Sequence, residues 1–501
     1  MDEPVGRGVE ADVDVDLDVD VVVVGAGLSG VGAACHLRRE APQESLLVLE
    51  ARERMGGTWD LFRYPGVRSD SDMFTLAYDF APWRGERAIV EGADIRRYVE
   101  DTARAYGIDD RTRFGHRVVR AEWSGAEQRW RLTVAHAGDE RVVTCRFLWV
   151  CTGYYRYDAG HQPALAGEEA FGGTLVDPQR WPEDLDVRDR DVVVLGSGAT
   201  AVTLVPALAA QGARVTMLQR SPSYVGVVGR RDRWARRLSG RVPPGVADRV
   251  LRARHVLVQQ TVTGVSRRRP DLVRRALLRT AAQRLPEGYD VEATFGARYD
   301  PWDQRLTVSP GGELFTAVRD GRAEVVTGTL ERLTPDGVLM TSGREVPADV
   351  LVRATGLEML GFGGMEVVVD DEPVVLGERL AYAGVMLEDV PNLAFTVGYA
   401  RASWTLRADL VAHWVTRLLR RMRREGLAVV TPDRAPAAEH EARRPLIDLN
   451  SGYVRRGRGR MPEQGAGRPW RSPGNHLEGV AALRWRRRTP GLRTTPAGSR
   501  A

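Results

Sequence analysis

The chain has 501 residues, 43% of them hydrophobic and 28% charged, with 72 basic residues against 67 acidic ones for a formal net charge of +5. That length holds two or three domains with an ample core. The basic excess does not define a nucleic-acid binder, because no lysine is present and the arginines are interspersed with acids. The densest runs, Arg230 to Arg237, Arg267 to Arg269 and Arg484 to Arg488, read as solvated faces or a tail rather than a phosphate-tracking groove. Cys35, Cys145 and Cys151 form neither a C-x-x-C pair nor a metal spacing, and the eight histidines show no H-x-x-x-H pattern. The reading is a reduced, cytoplasmic chain with no metal site, attachment to a membrane surface being left open. Met1 to Asp20 is acidic where a secretory leader must be positive, and the longest apolar stretch, Val21 to Cys35, is too short to span a bilayer.

In chain order, residues 1–18 alternate Val and Asp and are expected to be a disordered acidic leader. A strand is predicted over about 19–24, ending in VVVVGAGLSG, with Gly25, Gly27 and Gly30 at G-x-G-x-x-G spacing. A helix (about 29–39) and a strand, LLVLE, closing at Glu50, follow. Residues 123–152 alternate as a β-meander. A strand over 191–195 opens a second unit, VVVLGSGATA, with Gly196, Gly198 and Ala201 at the same spacing. Its helix runs to about 208, and its next strand, RVTMLQR, ends at Arg220. Residues 230–290 read as a helical insertion, strands return near 323–326 and at VLVRATG, and a helix is predicted over 403–424 with Leu406, Leu410, Trp414 and Leu418 on one stripe. Arg417, Arg420 and Arg424 lie toward its C-terminal end, where positive charge suits the dipole.

This order predicts an α/β fold of two nested Rossmann-like dinucleotide-binding domains with a helical insertion. A discontinuous FAD domain takes residues 19–157 and 345–430. An NADPH domain takes 158–344, and a partly disordered Arg/Pro/Gly-rich tail takes 431–501. At each turn the first glycine permits the bend, the second admits a pyrophosphate, and the helix N-terminus offers unpaired N–H groups. Glu50 suits ribose hydroxyls and repels a 2′-phosphate, so the first site reads as FAD or NAD. The second site ends in Gln219-Arg220-Ser221 with no acid, and a guanidinium there grips a 2′-phosphate, favouring NADPH. With no cysteine pair to receive electrons beside a flavin, molecular oxygen is the expected acceptor.

GGTWDLFRYPGVRSDSDMF (56–74), FGGTLVDPQRWPEDLD (171–186), GSGATAVTLVPAL, VTMLQRSP, YDPWDQRL (299–306), ATGL and TVGYARASWTLRADLV resemble class B flavoprotein monooxygenases of the Baeyer–Villiger type over about residues 20–420, with weaker echoes to Pro469-Trp470-Arg471. The resemblance implies FAD contacts at Ser29, Glu50, Thr58, Trp59, Asp60, Leu61, Asp70 and the backbone of Val118. It implies NADP contacts at Arg68, Ser69, Asp70, Ser197, Gly198, Ala199, Thr200, Ala201, Val202, Thr203, Gln219 and Arg220. It also implies that Arg305 stabilises the reacting peroxide, with Asp70 as its carboxylate partner. The expected reaction is insertion of one oxygen atom of O2 into a ketone through a peroxyflavin, giving an ester or lactone, with sulfoxidation of thioethers or thioamides alongside. Two positions depart from the family pattern. Asp177 stands where the fingerprint F-x-G-x-x-x-H-x-x-x-W-P carries histidine, and Arg401 stands where relatives carry a small polar residue; Arg401 is expected to face solvent. Two alternatives stay open: a heteroatom-oxygenating flavin monooxygenase, and an uncoupled NADPH oxidase, which Asp177 keeps in play. Neither the natural substrate nor the oligomeric state is legible.

Overall fold

A computed structural model describes residues 17–304, 306–433, 442–486 and 489–498. Among them, no helix is long and apolar enough to cross a membrane. The first valine run forms β1 (Leu17–Val24), in which Val21, Val22 and Val23 are wholly buried. The strand therefore begins inside the expected leader; the rest of the leader, residues 1–16, lies outside the described residues. Helix α1 (Leu28–Glu40) and strand β2 (Leu46–Leu49) complete the first unit, with β1 and β2 parallel and Val24 beside Leu49. The meander follows as β3 (Arg117–Ser124), β4 (Arg129–His136) and β5 (Asp139–Val150), and β5 returns parallel to β1. Both faces of β1 are covered, which is why its valines run without alternation.

A second, wholly parallel sheet contains β6 (Thr174–Val176), β7 (Asp191–Leu195), β8 (Arg214–Gln219), β9 (Ala323–Thr327) and β10 (Val350–Val352), in the order β9-β8-β7-β10-β6. Helix α2 (Ala199–Ala210) follows β7. The position of β10 corrects one expected boundary. Residues 350–352 pair with both β7 and β6, so the chain rejoins the first sheet only at β11 (Glu366–Val369), which pairs with β3. The apolar run VLV fits either sheet; pairing partners, not composition, assign it.

The insertion is helical as expected, with α3 (Pro244–Arg268) and α4 (Pro270–Ala282) its main elements. His255 on α3 places Nδ1 3.3 Å from Asp72 and Nε2 3.1 Å from Asp232, with Arg254 also beside it. Burial pulls its pKa down, but hydrogen bonds and charge from the two aspartates outweigh this and raise it. The stabilisation is complete below the ordinary value of 6.5 and is lost as pH rises through the raised folded value. Melting temperature is thus expected to fall more steeply above pH 6.5 in the wild type than in His255→Gln; parallel melting profiles would refute this.

Helix α5 (Trp404–Glu425) buries Leu406, Leu410, Trp414 and Leu418, the last three in the core shared with α1 and the first sheet. The described parts of the Arg/Pro/Gly-rich tail, expected to be partly disordered, pack on the first sheet. Residues 427–432 pair with 492–496, Trp470 and Leu483 are buried in the first core, and Ile447, Leu449, Val454 and Met461 pack in the other layer of that sheet. Arg417 donates to the carbonyls of Leu483 and Arg484 at 2.7 and 3.1 Å, so it holds this segment as well as sitting at a helix C-terminus.

Candidate active site

The two glycine turns have nearly the same backbone. Gly25 and Gly196 adopt φ of +104° and +136°, and the helix caps Gly27 and Gly198 adopt φ/ψ of −78°/−172° and −78°/−174°. A Cβ at Gly25 would lie 2.8 Å from the Cys151 carbonyl oxygen, and one at Gly196 would lie 2.3 Å from that of Ala354. Each turn thus threads between its own strand and the next parallel strand of its sheet, leaving the helix N-terminus open. At Gly198 a Cβ would meet none of the described residues within 4 Å, so this turn faces the open side of its sheet edge.

The space on that side is one cavity of about 1220 Å³, into which both turns open. It exceeds the roughly 300–1,000 Å³ usual for one small ligand. Gly25, Gly27, Ser29, Glu50, Thr58, Trp59 and Val118 line it from the first unit, Gly196, Ser197, Gly198, Ala199, Thr200, Thr203 and Arg220 from the second, and Arg68, Ser69 and Asp70 line it as well. Glu50 is 6% exposed; its Oε2 accepts from the Ala26 N–H at 2.6 Å and its Oε1 from the Arg52 N–H at 2.9 Å. Burial raises its pKa against these hydrogen bonds. Ser29 accepts from Trp404 Nε1 at 2.7 Å, which ties the start of α5 to the first turn. Arg220 is exposed at the end of β8. Ser197 and Ser223 pair through their hydroxyls at 2.7 Å beside it. A tight turn, a helix N-terminus and a strand-end carboxylate fit FAD at the first site. The same turn with an exposed strand-end guanidinium fits NADPH at the second.

Other expected contacts sit behind the wall. Gly30 lies on α1, where a Cβ would come within 1.7 Å of the Gly25 carbonyl oxygen; it is the close-packing glycine of its motif. Asp60 is 3% exposed and gathers Arg52 at 2.6 Å, Arg96 at 3.4 Å and Arg54 at 3.5 Å, while Leu61 is buried beside it. Ala201 and Val202 are core residues of α2. Gln219 is turned inward, donating from Nε2 to the Thr294 carbonyl at 2.7 Å and to Thr327 Oγ1 at 2.9 Å, and so fixes the strand end from which Arg220 projects. Arg305 lies outside the described residues; its neighbour Gln304 and Asp70 line the same cavity.

Arg68 donates from Nη1 to Glu313 at 2.7 Å, while its buried Nη2 has no partner among the described residues, and burial lowers its pKa. A buried guanidinium with a spare donor on a cofactor cavity suits an anionic oxygen. The expectation for Arg401 is corrected. Its side chain is 16% exposed and donates from Nε to the Trp302 carbonyl at 3.1 Å, with Asp448 at 3.7 Å, because the C-terminal segment covers it. Asp177 caps the short helix Pro178–Arg180, accepting from the Gln179 N–H at 2.9 Å and from Gln162 Nε2 at 2.5 Å.

Sequence reasoning missed several wall residues. Tyr154, Tyr157 and Trp404 line the cavity, as do Ser451, Tyr453 and Arg456 from the C-terminal segment. Aromatics next to the ATGL-like turn CTGYY were a usable signal for the first group. The Arg- and Gly-rich composition around 451–460 hid the second.

The architecture is that of the two-dinucleotide flavin monooxygenases. Similar solved folds are an oxidized steroid monooxygenase bound to NADP (TM-score 0.68, 23% identity, 84% of this chain and 88% of that one) and an open cyclohexanone monooxygenase (TM-score 0.69, 20% identity, 84% and 91%). A family model described as an NAD(P)-binding Rossmann-like domain matches residues 23–82. The FAD-containing monooxygenase EthA of Mycobacterium tuberculosis is 49% identical over 92% of this chain and 94% of its own length. The putative FAD-containing monooxygenase MymA of the same species is 47% identical over 89% and 91%, and the probable FAD-binding monooxygenase AlmA of Acinetobacter baylyi is 40% identical over 92% of each. The chain belongs to this family of FAD-containing monooxygenases.

Proposed function

We propose that the protein uses FAD, NADPH and O2 to oxidise ketones to esters or lactones. The observation that carries this reading is the single cavity joining a carboxylate-ended turn to a guanidinium-ended one. Bound FAD supplies the capacity to take hydride from NADPH and to activate dioxygen. The chain's own residues do the rest. Glu50 holds a ribose, the two helix N-termini hold pyrophosphates, and Arg220 holds a 2′-phosphate. Arg305 and Asp70 are assigned as the cation that steadies negative charge at the reacting oxygen and the carboxylate that orients it. This assignment rests on the DQRL and RSDSD motifs and on the place of Gln304 and Asp70 on one cavity. The test is ketone-dependent NADPH loss by purified protein, with product analysis under labelled oxygen. One labelled atom in an ester supports the reading. Oxidation confined to a thioether panel, or NADPH loss yielding only hydrogen peroxide, overturns it.

Arg220→Ala is expected to raise KM for NADPH about tenfold, the value of one charge-assisted contact of about 1.5 kcal/mol, while KM for NADH stays unchanged. Equal effects on both coenzymes would remove Arg220 from the 2′-phosphate site.

Asp177 favours a second reading, partial uncoupling. It joins the 178–180 turn to Gln162, and the nearby 157–163 stretch contributes Tyr157, Asp158, His161 and Pro163 to the cavity. An ionised aspartate accepts hydrogen bonds but donates none, so it cannot replace both functions of the fingerprint histidine. Asp177→His is expected to lower peroxide released per NADPH. Unchanged leakage would show that this position does not set coupling.

A further inference from the structure

We infer that this chain carries a site for a divalent transition-metal cation outside the cofactor cavity, with His36 and His413 as nitrogen ligands and Asp79 as the oxygen ligand. One ligand atom from each lies within 4.8 Å of the others. The residues are distant in sequence and meet because α1 and α5 pack together beside the segment after Leu76.

Orientation of the two imidazoles supports the assignment. Glu40 Oε1 lies 3.1 Å from His36 Nδ1 and 2.7 Å from His413 Nδ1, while its Oε2 accepts from Thr416 Oγ1 at 3.0 Å. One buttressed carboxylate therefore faces the Nδ1 of both rings, the arrangement that sets tautomer and basicity behind metal-bound histidines. Both Nε2 atoms are left facing carboxylate oxygens. His413 Nε2 is 3.0 Å from Asp79 Oδ2, and His36 Nε2 is 3.7 Å from Asp79 Oδ1 and 3.4 Å from Asp409 Oδ1. Tetrahedral zinc with bonds of about 2.0–2.1 Å sets its ligand atoms roughly 3.4 Å apart. The 3.0 and 3.7 Å separations run to different oxygens of Asp79 and the three ligand atoms lie within 4.8 Å of one another, so ligation draws them together by a small side-chain rotation. Imidazole and carboxylate together suit zinc and its first-row neighbours.

The cluster is reachable. His36 is wholly buried, but Asp79 is 34% exposed and provides an entry and a place for water as a further ligand. Binding forms two Nε2–metal bonds and one carboxylate–metal bond, and any proton held on either Nε2 leaves to solvent through the Asp79 edge. The two rings already lie side by side, with centroids 4.4 Å apart. Arg252 keeps its own partner, Asp409 Oδ2, at 2.9 Å. The metal would pin α1, whose other end forms the first glycine turn, to α5, whose N-terminal Trp404 bonds Ser29.

The test is equilibrium dialysis of chelator-stripped, FAD-loaded protein against Zn2+, read by elemental analysis and thermal melting. We expect one zinc per chain and a raised melting temperature. His413→Ala and Asp79→Asn should abolish both, and Glu40→Gln should weaken binding about 10- to 100-fold. Asp79 lies at the exposed edge, so Asp79→Asn with full flavin content serves if His413→Ala does not fold. Zinc well below one equivalent in the wild type, or undiminished zinc in flavin-loaded Asp79→Asn, would overturn the site and leave a metal-free ion network.

Discussion

Arg305→Ala is expected to lower ester or lactone formation by about 10²- to 10³-fold while NADPH is still consumed. A preorganised cation aimed at developing negative charge contributes about that factor, because in a site closed to water it needs no reorganisation when charge appears. The attacking oxygen is nucleophilic only as an anion, and the adduct it forms with a carbonyl is an anion as well. Losing the cation therefore penalises the oxygen-transfer step specifically, and reducing equivalents should emerge as hydrogen peroxide. Asp70→Asn should follow in the same direction with a smaller loss, since it removes the orienting carboxylate and not the charge itself. Rapid mixing with a saturating ketone, with peroxide and product measured together, checks both. Undiminished product from Arg305→Ala would end the proposed chemistry.

The second large effect lies in the backbone of the turns. Gly30→Ala must push α1 away from its own turn, because the added methyl would fall 1.7 Å from the Gly25 carbonyl oxygen. Forced overpacking of this kind costs about 1–3 kcal/mol, and here the obstacle is backbone that cannot rotate away. We expect Gly30→Ala protein to purify largely without flavin and to melt at a lower temperature. Gly198→Ala is the informative contrast. Its methyl meets none of the described residues within 4 Å, so the fold and bound FAD should be unaffected while KM for NADPH rises. Flavin content and melting curves of the two variants, side by side, decide the matter; equal flavin retention would contradict the packing argument.

These two glycines also show how much of the fold the sequence discloses. A run of valines before G-x-G-x-x-G dictates strand, tight turn and helix locally, so β1, α1, β7 and α2 are legible within a few residues. The stripe 406, 410, 414, 418 likewise discloses α5. Long-range pairing is less accessible. VLV at 350–352 satisfies either sheet, and only its partners Val192–Val194 and Thr174–Val176 decide between them. The segment after residue 442 was hidden for another reason. Its buried residues, such as Leu449, Val454, Met461 and Trp470, are too sparse to form a period, and arginines mask them. Buried Arg407 shows how such a segment is secured, donating to the carbonyls of Pro473 at 2.9 Å and Gly384 at 3.1 Å.

Within the site, strand-end chemistry distinguished Glu50 from Arg220, and the structure presents both to one cavity. Gln219 could not be separated from Arg220 by sequence, since adjacent strand residues point to opposite sides and register decides which one faces the ligand. The same limit applies to Arg401. Its burial depends on Asp448 and Trp302, distant residues that no local pattern places beside it.

The wall built by Ser451, Tyr453 and Arg456 has a consequence for biosynthesis. A ribosome exposes both glycine turns long before it releases the stretch that encloses them. A nascent polypeptide halted near residue 430 would display two nucleotide cradles with one side missing. Flavin capture is therefore expected to come late, once residues 451–456 have emerged, and chains cut short before them should yield colourless protein even though every fingerprint glycine is retained.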